Sequence, residues 1–457
     1  MPRSTDPGAA GGRSAAVQAL CSPASSELLG LLLAGIEREL PRAVELRHAL
    51  HAHPELAHAE QWTGEKVAQE LPVACATVAG TGRIAVVGNA RAAGVGTGPV
   101  AVRAELDGLP LAERTGAPFS AHGGAMHACG HDVHMAALVA LAHAAHALGD
   151  RLPAPLLAVF QPSEEAYPSG AQELARGAPA EPGRGTDREL ARGAPAGEGT
   201  AGVGGGEDWA PPAGTERGAL AALAPAAIVA AHVHPELPWG SVALDPGAVN
   251  ASCDAVEIVV EGQPAHGAYP HLGRDPILAL AQIVVALHAE LGRRIDPLFP
   301  ATLTVGVLEG GEAENVIPAA ARARGALRAA RESDRAVLRA LVDEVAAGVA
   351  AAHGCRARVA LTPGEPPLVN DPAIVSRAEG LLATAGLRRA PPWRSCGSDD
   401  FAFFAALAPI AMAFVGLDGA PGFMRRPLHH PELLVPDAAV GALARAQAAL
   451  YVAALPV

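Results

Sequence analysis

Three consecutive segments of the chain alternate between strand and helix in a way that few folds accommodate. "GPVAVRAEL" (98–106) and "APLLAVFQ" (154–161) are almost wholly apolar, and "DVHMAALVALAHAAHALGD" (132–150) between them has the length of a helix. Strands that are apolar on both faces are typical of parallel sheets that helices cover on each side. The pattern therefore predicts an α/β fold with a mixed, largely parallel sheet.

A chain of 457 residues is too long for one ordinary core, so we expect two domains. The second region contains two predicted strands and two predicted helices, at 254–261, 301–308, 275–291 and 332–352. This set is sufficient for a small α+β sandwich. We predict a discontinuous larger domain, residues 26–248 and 363–457, with residues 249–362 inserted in it as a lid.

Two segments have compositions that predict no packed structure. Residues 1–25 read as a disordered tail, without the basic start and apolar core of a signal peptide. Residues 168–218 are dense in Gly, Pro and Ala and contain the octapeptide "ELARGAPA" twice, at 173–180 and 189–196. Two copies are too few for a solenoid, so we interpret the segment as a low-complexity loop insertion.

Charge and cysteine content exclude several classes of partner. A net charge of −13 argues against nucleic acid, because phosphate binding needs clustered positive charge. The apolar run at 29–36 is too short to span a bilayer, so we expect no membrane association. Six widely spaced cysteines without a secretory signal indicate a reducing compartment. The sequence predicts a cytoplasmic protein.

Polar side chains with metal-ligating chemistry gather where predicted strands end or a helix begins. The carboxyl ends of parallel strands meet at one edge of a sheet, where functional groups collect. The candidates are Asp107 after "AVRAEL", Glu164 and Glu165 after "LLAVFQ", His232 after "AIVAA", Cys129 and His131 before the long helix, and His429 near the C-terminus. Sulfur, imidazole and carboxylate together suit borderline divalent cations.

Cys129, in "MHACGHD", allows several interpretations by itself. Haem attachment needs a second cysteine in C-x-x-C-H, and the zinc deaminase pattern is absent. A small buried residue and a cysteine nucleophile beside His127 or His131 stay open as alternatives. Metal ligation gives the Glu164–Glu165 pair a role, because neighbouring side chains of an extended segment point to opposite sides. One carboxylate can then bind metal while the other faces a substrate.

Nine motifs follow one another in the order found in the M20 metallopeptidase family, which the chain resembles over about residues 40–440 outside the insert. They are "LRHALHAHPEL", "RAELDGLPL", "MHACGHDVH", "FQPSEE", "AHVHPELPWGSV", "AHGAYPHLGRDPI", "GGEAENVIP", "GSDDFAFF" and "PLHHPEL". The similarity is greatest to the amidohydrolase branch, which includes hippurate hydrolases, N-acyl-amino-acid amidohydrolases and auxin-conjugate hydrolases.

The resemblance implies a catalytic domain with an inserted lid that forms a homodimer, and two divalent metal ions per subunit, Mn²⁺ or Zn²⁺ with Co²⁺ as an alternative. The implied metal ligands are Cys129, His131, Glu165, His232 and His429. The other implied roles are a general base at Glu164, a lid histidine for the scissile carbonyl oxygen at His266, contacts to the substrate carboxylate at Asn315 and Arg328, and a ligand-orienting carboxylate at Asp107.

The resulting hypothesis is an enzyme that cleaves small N-acyl amino acids into a carboxylic acid and a free amino acid, by metal-activated water and a glutamate base. A dipeptidase or carboxypeptidase with the same site is the nearest alternative. A catalytically silent metal-binding protein and a cysteine hydrolase that uses Cys129 are alternatives of other classes.

Overall fold

The computed structural model of the protein describes residues 22–88, 98–176 and 218–456. Most of the predicted tail and of the repeat-containing insert lies outside these residues. Residues 23–25, at the end of the predicted tail, form the first turn of a helix. Ser22 caps this helix, because its Oγ accepts a hydrogen bond from the backbone N–H of Ser25 at 3.1 Å.

The chain divides into two compact units. Among the described residues, the first comprises those up to residue 245 together with 370–392 and 404–456, and the second comprises residues 246–369 and 393–403. The assignment of one unit as a catalytic domain and the other as a lid stays a prediction.

The α-helices of the described residues are α1 Pro23–Ala52, α2 Gln61–Glu70, α3 His131–His146, α4 Gly170–Arg176, α5 Ala219–Ala222, α6 Pro276–Arg294, α7 Glu332–Ala352, α8 Pro372–Thr384 and α9 Ala438–Ala454. The strands are β1 Cys75–Val78, β2 Gly82–Val87, β3 Val100–Glu105, β4 Leu156–Gln161, β5 Ala227–Pro238, β6 Ser241–Ala243, β7 Gly247–Asn250, β8 Asp254–Glu261, β9 Ala265–His266, β10 Ala301–Gly310, β11 Val316–Ile317, β12 Ala320–Ala329, β13 Arg356–Thr362, β14 Leu368–Asn370, β15 Arg388–Arg389 and β16 Ile410–Asp418.

The first unit is built on an eight-stranded sheet in the order β1-β2-β4-β3-β5-β16-β6-β15. The four central strands β4, β3, β5 and β16 are parallel to one another, whereas β1–β2, β2–β4 and β16–β6 pair antiparallel. Every residue of β3 and β4 is buried. The predicted α/β fold with a mixed, largely parallel sheet is therefore confirmed.

Helices α1, α3 and α9 pack on one another and contribute to one core with the sheet. The approach of α1 to α3 depends on Gly35, where an added Cβ would lie 2.6 Å from the Cβ of Ala144. The helix α3 is apolar nearly all round because most of its residues are buried. This packing sets the start of α3, at His131, against the carboxyl ends of the central strands.

The second unit contains a four-stranded antiparallel sheet, in the order β10-β12-β8-β13, with α6 and α7 packed against it. The prediction of only two strands in this region was wrong. The strand β12, "AARARGALRA", has no β-branched residue, and its strand character appears only in the alternation of buried and exposed positions. The strand β13 shows the same two-residue alternation.

Candidate metal centre

The structure brings the predicted ligands of the first unit together at one end of its sheet. The Sγ of Cys129 lies 3.4 Å from Nε2 of His232. The Nε2 of His429 lies 3.2 Å from Oε1 of Glu165, and the ligand atoms of Cys129, Glu165 and His429 all lie within 4.8 Å of one another. Residues that are up to three hundred positions apart in the sequence thus form one cluster.

Glu164 lies at the same place, with its Oε2 3.8 Å from Nε2 of His131. His131, Glu164 and Glu165 form a second group whose ligand atoms lie within 4.8 Å of one another. The two adjacent carboxylates, which the sequence pattern assigned to different roles, therefore both reach the cluster.

Hydrogen bonds determine which nitrogen of two histidines is available as a ligand. The Nδ1 of His131 donates to the carbonyl oxygen of Asp107 at 2.8 Å, and the Nδ1 of His232 donates to the carbonyl oxygen of Val233 at 2.6 Å. A carbonyl oxygen only accepts hydrogen bonds, so each of the two rings has its proton on Nδ1 and its available lone pair on Nε2. The Nε2 of His131 is buried and makes no hydrogen bond. This arrangement is the one that metal-binding histidines use.

Electrostatics of the cluster match a cation site. Burial and the neighbouring His134 hold the pKa of His232 well below its ordinary value, so His232 is neutral. Burial pushes the pKa of Glu165 up, but His429 and His131 outweigh it and leave that pKa lowered. A neutral imidazole, a carboxylate and the Cys129 sulfur form a donor set that fits Zn²⁺, Mn²⁺ or Co²⁺.

Two backbone positions with positive φ shape the loops that carry the ligands. Gly130 has φ +88°, and an added Cβ would lie 2.6 Å from Cγ2 of Val233, so only glycine fits between Cys129 and His131. His429 has φ +65°, and its backbone N–H donates to the carbonyl oxygen of Ala128 at 2.9 Å. The C-terminal loop is thereby tied to the residue that precedes Cys129.

The position of His232 differs from the prediction that it follows a strand. His232 lies inside β5, opposite Phe414 of β16. The pairing of β5 with β3 ends at Ala230, whereas its pairing with β16 continues to Pro238. His232 is therefore beyond the end of β3 although it is still within a strand.

Asp107 contacts two of the predicted ligands. In addition to the bond from His131, its Oδ2 accepts the backbone N–H of Glu165 at 2.9 Å. Burial raises the pKa of the Asp107 carboxyl, despite the nearby His131. Its role in orienting ligands stays a prediction, which these contacts support.

Glu105 and His134 were missed by the sequence analysis. The Oε2 of Glu105 lies 2.7 Å from Nδ1 of His134, whose Nε2 accepts the backbone N–H of Val233 at 3.1 Å. Both nitrogens of His134 are thus engaged in hydrogen bonds, so it supports the β5 backbone beside His232 and is not available to a metal. The available signal was a charged pair, Arg103 and Glu105, inside an otherwise apolar strand.

A second network missed by the sequence analysis holds Asp132, the neighbour of His131. Asp132 Oδ2 accepts from Nε of Arg47 at 2.8 Å and from Nδ1 of His51 at 2.9 Å. Burial alone would lower the pKa of His51, but Asp132 and Glu113 outweigh it and raise that pKa from 6.5 to about 9. The first turn of α3 is therefore joined to α1 by buried ion pairs.

Three predicted substrate residues lie in the second unit. His266 is exposed on β9, which pairs with β11, and its Nδ1 accepts the backbone N–H of Ala268 at 3.1 Å. The carbonyl oxygen of Asn315 accepts the backbone N–H of Gly267 at 2.7 Å, which brings Asn315 next to His266. Arg328 donates to the carbonyl oxygen of Cys396 at 2.9 Å. Their roles toward a substrate stay predictions.

Known proteins are similar to this chain over most of its length. The model of peptidase family M20/M25/M40 matches residues 101–451. The chain is 32% identical over 418 residues to N-acetyl-L-cysteine deacetylase of Bacillus subtilis, covering 89% of this chain and 86% of that protein. It is 31% identical over 344 residues to N-acetyldiaminopimelate deacetylase of Shouchella clausii, covering 75% of this chain and 79% of that protein.

A solved structure is also similar. The crystal structure of a dinuclear metal-binding peptidase of the M20 family from Bacillus subtilis matches with a TM-score of 0.70 and 27% identity, over 91% of this chain and 98% of that one. The resemblance seen in the ordered motifs is confirmed. The chain belongs to peptidase family M20/M25/M40, and it is a metal-dependent amidohydrolase.

Proposed function

We propose that the protein hydrolyses the amide bond of small N-acyl amino acids, releasing a carboxylic acid and a free amino acid. The observation that carries the proposal is the position of Glu164, whose Oε2 lies 3.8 Å from Nε2 of His131, beside the cluster of Cys129, Glu165 and His429. A carboxylate beside a set of ligand atoms is placed to act as a general base in hydrolysis. The deacetylase relatives act on acyl amino acids, which supports this substrate class.

Cys129, His131, Glu165, His232 and His429 would hold two divalent cations, Mn²⁺ or Zn²⁺ with Co²⁺ as an alternative. Such cations supply Lewis acidity, which polarises an amide carbonyl and acidifies a water molecule. Glu164 takes the proton of the attacking water and delivers it to the leaving amine nitrogen. His266 donates to the developing oxyanion, and Asn315 and Arg328 hold the substrate carboxylate. We further propose a cytoplasmic location.

The substrate class is tested by comparing N-acetyl-L-cysteine with glycyl-L-cysteine. The two molecules differ only by an ammonium group on the carbon next to the scissile carbonyl, which is the methyl carbon of the acetyl group, so they form a matched pair. An N-acyl amino acid hydrolase has no partner for this charge, and desolvating it is costly. We expect kcat/KM for the acetyl compound to exceed that for the dipeptide by roughly 100-fold. The reverse preference would establish the dipeptidase alternative.

We also propose a homodimer through the second unit. The outer face of α6 exposes Ile277, Leu278 and Val285, the last at 66% of its surface, and β10 is an edge strand that pairs on one side only, with β12. Two copies related by a twofold axis can cover this face and pair their β10 edges.

Among the described helices, only α6 is long and apolar enough to suggest a membrane span, and its other face is packed in the core of the unit.

The dimer is tested by Val285→Glu, which places a charge on the exposed face of α6. We expect sedimentation velocity to show a dimer for the parent protein and a monomer for this variant. Val337→Glu is the control, because Val337 is 40% exposed on α7. A parent protein that sediments as a monomer at micromolar concentration would contradict the proposal.

A further inference from the structure

We propose that Glu60 is a positioning residue for the reaction, because it holds the turn that carries Glu164 and Glu165. The inference rests on the proposed function, in which Glu164 is the base and Glu165 a metal ligand. Glu60 lies between α1 and α2 in the sequence, about a hundred residues before this turn.

Glu60 is a fully buried carboxylate with two hydrogen-bond partners. Its Oε1 accepts the backbone N–H of Ser163 at 2.8 Å, and its Oε2 accepts the hydroxyl of Thr81 at 2.7 Å. A buried carboxylate is costly unless its oxygens are bonded, and bonds to a charged acceptor are stronger than neutral ones. Glu60 therefore determines where the Ser163 backbone lies.

The Ser163 turn is strained and depends on its surroundings. Ser163 has φ +48°, in the left-handed region that residues other than glycine seldom adopt. Its Oγ lies 3.0 Å from Nε2 of His58, and its carbonyl oxygen accepts the N–H of Gly170 at 3.0 Å. An added Cβ at Gly170 would lie 1.8 Å from the carbonyl oxygen of Pro162, so the loop closes tightly. Such a conformation persists only where neighbouring groups hold it.

The turn is held on both sides of the catalytic carboxylate. Glu60 binds the N–H of Ser163, directly before Glu164, and Asp107 binds the N–H of Glu165, directly after it. Loss of the Glu60 carboxylate would leave a buried N–H without a partner in a strained turn. The turn would then relax, and both glutamates would move from the cluster. Displacements of this kind affect catalytic rate strongly.

The chain provides a matched control in Glu55, only five residues away. The carboxylate of Glu55 accepts the backbone N–H and hydroxyl of Thr63 at 2.7 and 2.8 Å and the N–H of Trp62 at 3.3 Å. It therefore bonds a backbone amide and a threonine hydroxyl, as Glu60 does, but its partners lie in the first turn of α2. These bonds do not involve the Ser163 turn, so we expect loss of the Glu55 carboxylate to lower stability while the turn stays in place.

The test uses the metal-loaded, full-length protein and N-acetyl-L-cysteine as substrate. We expect Glu60→Ala to lower kcat by about 100-fold with KM little changed, and to weaken metal affinity by about tenfold through Glu165. Glu60→Gln keeps an acceptor for the backbone N–H of Ser163 and should restore most of the kcat and of the metal affinity. Glu55→Ala should lower the melting temperature about as much as Glu60→Ala does, while leaving kcat and metal affinity at parental values.

A Glu60→Ala variant with the kcat and metal affinity of Glu55→Ala would overturn the inference. If Glu60→Ala does not fold, Glu60→Asp takes its place, because its shorter side chain cannot bond both Ser163 and Thr81. We then expect a loss in kcat of about tenfold, and parental kcat would overturn the inference. A parent protein that binds metal but does not hydrolyse acyl amino acids contradicts the proposed function alone, since metal affinity still reports on the turn.

Discussion

Replacing Glu164 with alanine is expected to lower kcat for N-acyl amino acid hydrolysis by roughly 100- to 10,000-fold, while the metal content stays at the parental value. The reason is the proposed division of roles between two adjacent carboxylates, with Glu164 as the base and Glu165 as a metal ligand. Glu164 lies 3.8 Å from His131, whereas Glu165 lies against His429 and Cys129. Steady-state kinetics together with elemental analysis of the purified variant provide the measurement.

Glu165→Ala is the matched control, because it removes the same group one residue away. We expect this variant to lose both activity and bound metal, since Glu165 contributes an oxygen to the cluster with Cys129 and His429. A Glu164→Ala variant that keeps parental kcat would exclude Glu164 as the base. A Glu164→Ala variant that loses its metal would show that the two carboxylates do not have separate roles.

We expect exhaustive chelation to abolish hydrolysis, and addition of Mn²⁺, Zn²⁺ or Co²⁺ to restore it. The donor set contains a thiol sulfur, imidazole nitrogens with their lone pairs on Nε2, and a carboxylate, which together suit these cations. The measurement is activity after dialysis against chelator and after titration with each metal. Full activity of the metal-free protein would contradict a metal-dependent reaction.

Alkylation of Cys129 separates metal ligation from the cysteine-nucleophile alternative. A thiolate bound to metal is protected, so we expect iodoacetamide to label Cys129 only after chelation. Cys355, which lies in the second unit, is the internal reference and should react equally in both states. Rapid inactivation by alkylation of the metal-loaded enzyme would favour a cysteine hydrolase.

The central sheet was predictable because its signal is local. The strands β3 and β4 are buried on both faces, and their residues are apolar almost throughout, so composition alone distinguishes them. The strand β12 was missed because alanine and arginine have no strand preference of their own. Its pairing with β8 and β10 is what makes it a strand, and this pairing is a property of the tertiary structure.

The candidate site shows the same division. Cys129 and Glu165 were predictable as donors because their residue types and their places, before a helix and after a strand, are visible in the sequence. His429 was predictable from its type and its loop near the C-terminus. Glu60 and Arg47 were not, because each acts through partners that are remote in the sequence: Glu60 through Ser163, and Arg47 through Asp132. A buried charge looks like any surface charge until its partner is known.

The sequence by itself determined the fold class, the donor types and their order along the chain, since hydrophobic patterning and residue chemistry are carried by neighbouring residues. Only the tertiary structure decided which nitrogen of His131 and His232 carries its lone pair, and which carboxylates support the strained turn before Glu164. Those properties depend on hydrogen bonds to groups such as the Asp107 carbonyl, which the sheet brings to the site from another strand. Folding creates these bonds because a buried polar group needs a partner, wherever in the chain that partner lies.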